Sequence, residues 1–214
     1  MMTLCFHELM TGNIEVSKVI HLQAIGAEAE IYEVALYTPV SKGATPDFQR
    51  ISMLSASLQL TKTWFEEMDA QPVTDFGMFG FPQQSHLSYF TITLYRLATL
   101  EDPYWDRRLV KQTVDILQVL DRLGDKFSQV PIASGFKLDR QEGDVFSRAG
   151  RAIKQMKLSW EPIINQALGG GNNLGTDVLD ASFWENLSFD IAGGMNGWFS
   201  DMLSSESDVS LSTI

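Results

Sequence analysis

The chain has 214 residues, 44% hydrophobic and 20% charged, with a formal net charge of −11 at pH 7. That composition supports a buried core in one domain with an appendage and excludes a chain disordered throughout. Cys5 is the single cysteine, so no internal disulfide forms, and with only His7, His21 and His86 beside it the chain lacks the ligand spacing of a structural zinc site.

Residues 1–160 carry all 16 Lys and Arg against 19 Asp and Glu, a net of −3, while residues 161–214 carry eight acids and no base, a net of −8. Neither part is basic enough to hold a phosphate backbone by counterion release, so direct nucleic-acid binding is not expected. No run approaches the roughly 18 apolar residues of a membrane span. The start, MMTLCFHELM, lacks the basic and apolar segments of a secretion signal, and the expectation is a soluble intracellular protein.

In chain order, Ile14, Val19, Leu22, Ile25, Ala29, Tyr32 and Leu36 recur at three- and four-residue spacings and predict a helix over 14–37, stopped by Pro39. Glu15, Lys18, Glu28 and Glu33 are expected opposite that apolar face. A second helix is predicted from Pro46 to about Met68, with Phe48, Ile51, Leu54, Leu58 and Phe65 inward. Residues 71–82, QPVTDFGMFGFP, combine prolines, glycines and phenylalanines and read as a loop pinned by its rings.

Residues 84–100 are apolar nearly all round, with Arg96 the one fully charged residue, and predict a central helix enclosed by others. Asp102 as N-cap and Pro103 at the first helical position predict a long helix starting at once. Trp105, Leu109, Ile116, Leu120, Leu123 and Phe127 fall on one side of it, with Trp105 wedged at the corner between two packed helices. A last helix is expected over about 140–160, with Val145, Phe146, Ala149, Ile153, Met156 and Trp160 inward. Arg148, Arg151, Lys154 and Lys157 on that helix read as a solvated basic face rather than an anion site. Pro162 and the GGGNN at 169–173 mark a boundary and a flexible link.

Most catalytic signatures are absent from the sequence: GGGNN has no following Gly-Lys-Ser/Thr, and no HExxH, GxSxG or GxGxxG occurs. Two candidate sites remain. Arg96 within an apolar helix must find acceptors or partners, and His86, Tyr89 and Tyr95 on the same helix could form a polar ligand pocket with it, against the plainer reading of a structural salt bridge. Beyond the link, Phe183, Trp184, Leu187, Phe189, Trp198 and Phe199 alternate with acids, the mixture found in segments that fold on a coactivator groove. The competing reading is a tail docked on its own domain.

The segment FPQQSHLSYFTITLYRL, the junction LEDPYWDRRLV and the continuation VDILQVLDRLGDKF, from Phe81 to Phe127, resemble the C-terminal half of the regulatory region of fungal zinc-cluster transcription factors. In that family a Leu-Tyr-Arg-Leu-like helix end is followed by a turn and Trp-Asp, here Leu94, Tyr95, Arg96, Leu97, Trp105 and Asp106. FWENLSFD near the C-terminus is similar to the activating ends of such proteins. Members carry a six-cysteine zinc cluster for DNA binding, which one cysteine cannot supply. The resemblance therefore implies the latter portion of a regulatory region, without its own DNA-binding domain.

The resulting expectation is an all-α, irregular bundle of about five to six helices over 1–162, followed by a Gly-rich link and an acidic, partly disordered tail over 163–214. Its implied role is transcription regulation of secondary metabolism in the nucleus, through contacts with transcription machinery or a related full-length factor, with control by a small metabolite and with no catalytic residues, metal or cofactor. The alternative is a stand-alone small-molecule binder, or a cytoplasmic, cofactor-free isomerase or cyclase, with an apolar pocket on the same scaffold.

Overall fold

A computed structural model describes residues 20–38, 45–77, 81–135 and 144–169. Among the described residues all regular structure is α-helical and no strand occurs, as the spacing of apolar positions predicts. The helices are α1 (20–32), α2 (Val34–Tyr37), α3 (Phe48–Asp69), α4 (Val73–Phe76), α5 (Phe81–Thr99), α6 (Arg107–Thr113), α7 (Ile116–Ala133) and α8 (Val145–Leu168). The chain divides into two compact units, Met1–Gln71 with Phe79–Ile116, and Pro72–Met78 with Leu117–Ile214.

In the first unit α3 packs on α2, α5 and α6, and α5 packs on α6. Leu22, Ile25 and Ala29 of α1 are buried as their period demands, whereas Ile14 and Val19 lie outside the described residues. Asp47 caps α3 by accepting the Arg50 amide at 3.1 Å, so the helix begins at Phe48 rather than Pro46. Phe48, expected inward, is 80% exposed; the buried place one turn from the cap is taken by Arg50. Trp64 stacks on Phe90 with ring centroids 4.7 Å apart, joining α3 to the centre of α5. The expected enclosure of α5 holds: Phe90, Leu94, Tyr95, Leu97 and Ala98 are all buried.

The long helix expected from Pro103 is replaced by a turn and two helices. The Asp102 carboxylate caps a turn by accepting the Tyr104 amide at 2.7 Å, and Asp106 then caps α6 by accepting the Arg108 amide at 2.9 Å. Trp105 therefore precedes the helix instead of standing in its first turn. Its indole is buried, and Nε1 donates to the Leu97 carbonyl at the end of α5 at 2.9 Å, which fixes the corner. Because the helical phase restarts at Arg107, Leu109 turns outward and is 49% exposed. Val114 is extended at φ −147°, ψ 111° and ends α6, after which Ile116, Leu120, Leu123 and Phe127 are buried as expected.

Asp102 has a second task that sequence reading does not assign. Its other carboxylate oxygen pairs with the Arg50 guanidinium, and Arg50 Nε donates to the Ala35 carbonyl at 2.9 Å. One buried ion pair thus ties α2, α3 and the α5–α6 corner together.

The second unit holds α4, α7 and α8. Within the segment expected as a pinned loop, Val73–Phe76 forms a short helix, and Phe76 is buried with its ring edge-on to Phe127 at 5.6 Å. Asp144 caps α8, accepting the Phe146 and Ser147 amides at 2.8 and 3.0 Å. The helix runs through Pro162 to Leu168, so the stop expected at that proline is replaced by Gly169. Pro162 has no amide proton to donate to the Leu158 carbonyl one turn earlier, and Leu158 is an exposed residue. Trp160, Ile164 and Ala167 are buried.

Gly124 and Gly150 let α7 and α8 cross closely. A Cβ on Gly150 would lie 2.4 Å from Ser128 Oγ and 2.8 Å from the Gly124 carbonyl oxygen. The face expected to be merely solvated is in part paired, with Lys154 bonded to Asp125 and Lys157 to Asp121, each at 2.6 Å. Residues 170–214, with most of the expected acidic tail, lie outside the described residues.

Candidate functional site

Helical geometry sorts the four sequence candidates before any contact is considered. At about 100° per residue, His86, Tyr89, Thr93 and Arg96 fall within roughly 80° of one another on α5, while Tyr95 points about 100° away from Arg96. The structure follows this division. The first four form a polar stripe toward α1 and α2, and Tyr95 is fully buried on another side of the helix.

At the upper end of the stripe, His86 lies against Gly26 of α1. A Cβ there would fall 2.5 Å from His86 Cε1 and 2.7 Å from Nε2, so glycine permits the imidazole to sit on the helix backbone. At the other end, the Arg96 guanidinium carbon is 4.4 Å from the centroid of the Tyr37 ring. The half-buried cation is thus met by an aromatic face. The Tyr37 hydroxyl donates to Glu33 Oε1 at 2.9 Å, which brings a carboxylate into the same seam.

Between them the Tyr89 hydroxyl is buried, and among the described residues it has no hydrogen bond of normal geometry. Burial, and then the negative charge of Glu33, raise its pKa far above the ordinary tyrosine value, and the nearby Thr93 hydroxyl only partly offsets them. Tyr37 is raised as well, by burial and by its bond to Glu33, with Arg96 opposing. Burial pushes Tyr95 up to about 12. These phenols stay protonated at neutral pH, so the seam offers neutral hydroxyls, an imidazole and a cation. It is equipped to recognise polar groups by hydrogen bonding, not to supply a phenolate base.

Gly26, Glu33, Tyr37 and Thr93 belong to this seam and were missed in the sequence. A glycine in the middle of a helical period was the available signal, because it marks a close approach. The Glu33–Tyr37 pair at a spacing of four was another. Phe183, Trp184, Leu187, Phe189, Trp198 and Phe199, the expected partner-binding residues, lie outside the described residues. Among the described residues no group of three or more His, Cys, Asp or Glu could hold a metal ion. No helix among them is long and apolar enough to cross a membrane.

Comparison with known proteins adds independent information. The family model ATEG07667_C, described as a C-terminal domain, matches residues 73–210. Transcription factor opdL of Penicillium oxalicum (strain 114-2 / CGMCC 5302) is 31% identical over 146 residues, covering 67% of this chain. The chain spans about a quarter of the length of that relative, 25%. No solved structure matches.

Proposed function

Since this chain belongs to the ATEG07667_C family of C-terminal domains, we propose that it is a transcription-regulatory module equivalent to the effector region of a fungal zinc-cluster activator. The observation that carries this reading is the 31% identity over 146 residues with a protein named as a transcription factor. The family match runs to residue 210 and so spans the acidic-aromatic segment.

In this reading the module acts in the nucleus. Phe183, Trp184, Leu187, Phe189, Trp198 and Phe199 enter an apolar groove on transcription machinery or on a related full-length factor, and the surrounding acids meet its basic rim. DNA recognition is not assigned to these residues. The seam of His86, Tyr89 and Arg96 is where a small polar metabolite would act, by competing for the hydroxyl and cation now held between α1, α2 and α5. Tyr95, on another side of α5, supports that seam by packing.

Fusing residues 163–214 to an unrelated DNA-binding domain tests the proposal in a reporter strain. Activation well above the DNA-binding domain alone is expected, with loss of most of it in the Phe183→Ala, Trp184→Ala, Phe189→Ala triple variant. A silent fusion at matched protein level would remove the activator reading.

A further inference from the structure

Helix α1 is apolar on two opposite sides. Leu22, Ile25 and Ala29 are buried against the rest of the first unit. About 180° away, Ile20, Ala24, Ala27, Ile31 and Val34 form a second ridge, with Ile20 62%, Ile31 68% and Val34 56% exposed and both alanines exposed as well. Successive spacings along the ridge are four, three, four and three residues, the pattern that holds one helix along another. Glu33, between α1 and α2, keeps helical dihedrals of φ −59° and ψ −30°, so the ridge runs on into Val34. At 1.5 Å per residue it is about 21 Å long, roughly four turns of a partner helix in all.

An exposed face alone does not say what covers it, but its charge does. Glu28 and Glu30 are exposed and lie about 80° to either side of the ridge, and residues 20–38 contain no Lys or Arg. Two copies of this surface laid together would set four glutamates against one another with no base to separate them, and like charges across a helix pair repel. A helix with basic flanks meets the opposite situation. The shape agrees, since Ala24 and Ala27 leave a shallow saddle between Ile20 and Ile31 that a large aliphatic side chain can fill.

We infer that the outer ridge of α1 is a docking surface for an amphipathic helix of another protein, one carrying large aliphatic residues along one face and Lys or Arg beside them. This inference does not rest on the transcriptional reading or on the acidic-aromatic tail.

The experiment measures fluorescence anisotropy of two labelled 18-residue peptides with full-length protein. Both peptides carry leucine at the heptad core positions; one has lysine and the other glutamate at the flanks. The lysine peptide is expected to bind and the glutamate peptide to bind at least tenfold more weakly. Ile31→Gln with Val34→Gln, which alters no charge, should weaken lysine-peptide binding at least tenfold while far-UV circular dichroism and Tm stay as in the parent. Glu28→Lys with Glu30→Lys should reverse the preference between peptides. Lysine-peptide binding that ignores the Ile31 and Val34 changes is general attraction to an acidic protein and overturns the inference. So does a dimer in sedimentation equilibrium that the same two changes abolish, because a second copy then covers the ridge.

Discussion

In the first unit the Arg50–Asp102 pair has side chains 7% and 1% exposed, whereas in the second the Lys154–Asp125 pair has side chains 47% and 60% exposed. Both pairs join α-helical segments to positions more than 25 residues away, yet their energetic roles differ. A buried charge whose partner is removed keeps its desolvation cost and loses the attraction that offset it, while an exposed one returns to water. The first unit therefore keeps a cross-linking ion pair in its interior, whereas the second keeps its own near the surface and brings α7 and α8 together at glycines. An all-α composition does not by itself say which device a bundle uses.

Mutations can break that contrast, beginning with the buried pair. Asp102→Ala should destabilise the protein by about 3 to 5 kcal/mol in urea unfolding, because Arg50 is left unpaired and the turn loses its cap. Arg50→Met combined with Asp102→Ala should cost less than the sum of the two single changes. Fully additive costs would show that the pair carries no coupling.

Trp105→Ala at the same corner should cost roughly 3 to 5 kcal/mol, through a cavity and the loss of the bond to the Leu97 carbonyl. An unchanged denaturation midpoint would contradict the burial of that indole.

In the second unit, Gly150→Ala places a methyl against a backbone oxygen that cannot yield cheaply. The expected cost is about 1 to 3 kcal/mol in the same assay. Asp144→Ala should cost about 1 kcal/mol at neutral pH. Burial alone would raise the Asp144 carboxyl, but hydrogen bonds from Ser147 and Phe146 outweigh it and hold the group below its ordinary 3.8. A depressed folded value means that the cap contributes fully above pH 3.8 and is lost as pH falls through the folded value. The gap between variant and parent should therefore close in acid, which unfolding midpoints measured across pH will check.

The smallest effect expected is for Lys154→Ala, under about 1 kcal/mol and weaker still in high salt. A cost there comparable with that of Asp102→Ala would erase the distinction between the two units.

Much of the second unit was legible in the sequence. Leu120, Leu123 and Phe127 of α7 repeat at three- and four-residue spacings and face one way, and all three are buried. The first unit was harder to read. On α3 the buried face includes Arg50, Ser57 and Thr61, so apolar spacing picked out Phe48, which is exposed. Arg96 drew attention as the lone charge in an apolar helix, but it is Arg50 that is deeply buried, paired with a residue 52 positions away. The candidate seam was half visible for the same reason. His86, Tyr89 and Arg96 share one helix and one face, while Gly26, Glu33 and Tyr37 come from α1, α2 and the residue between them, far off in the chain.

The sequence by itself determined that the described segments are helices, and where most of them bury their apolar sides, because the helical period is a local property of the chain. The caps supplied by Asp47, Asp106 and Asp144 are local too, since a capping carboxylate acts within three residues of its own backbone, although the expected starts at Pro46, Asp102 and about residue 140 missed them. Only the tertiary structure decided that Arg50 meets Asp102, that Gly124 meets Gly150, and that one of the two apolar faces of α1 is left open. Those outcomes depend on which distant surfaces meet, and burial of charge or of a close backbone contact has no energy until they do.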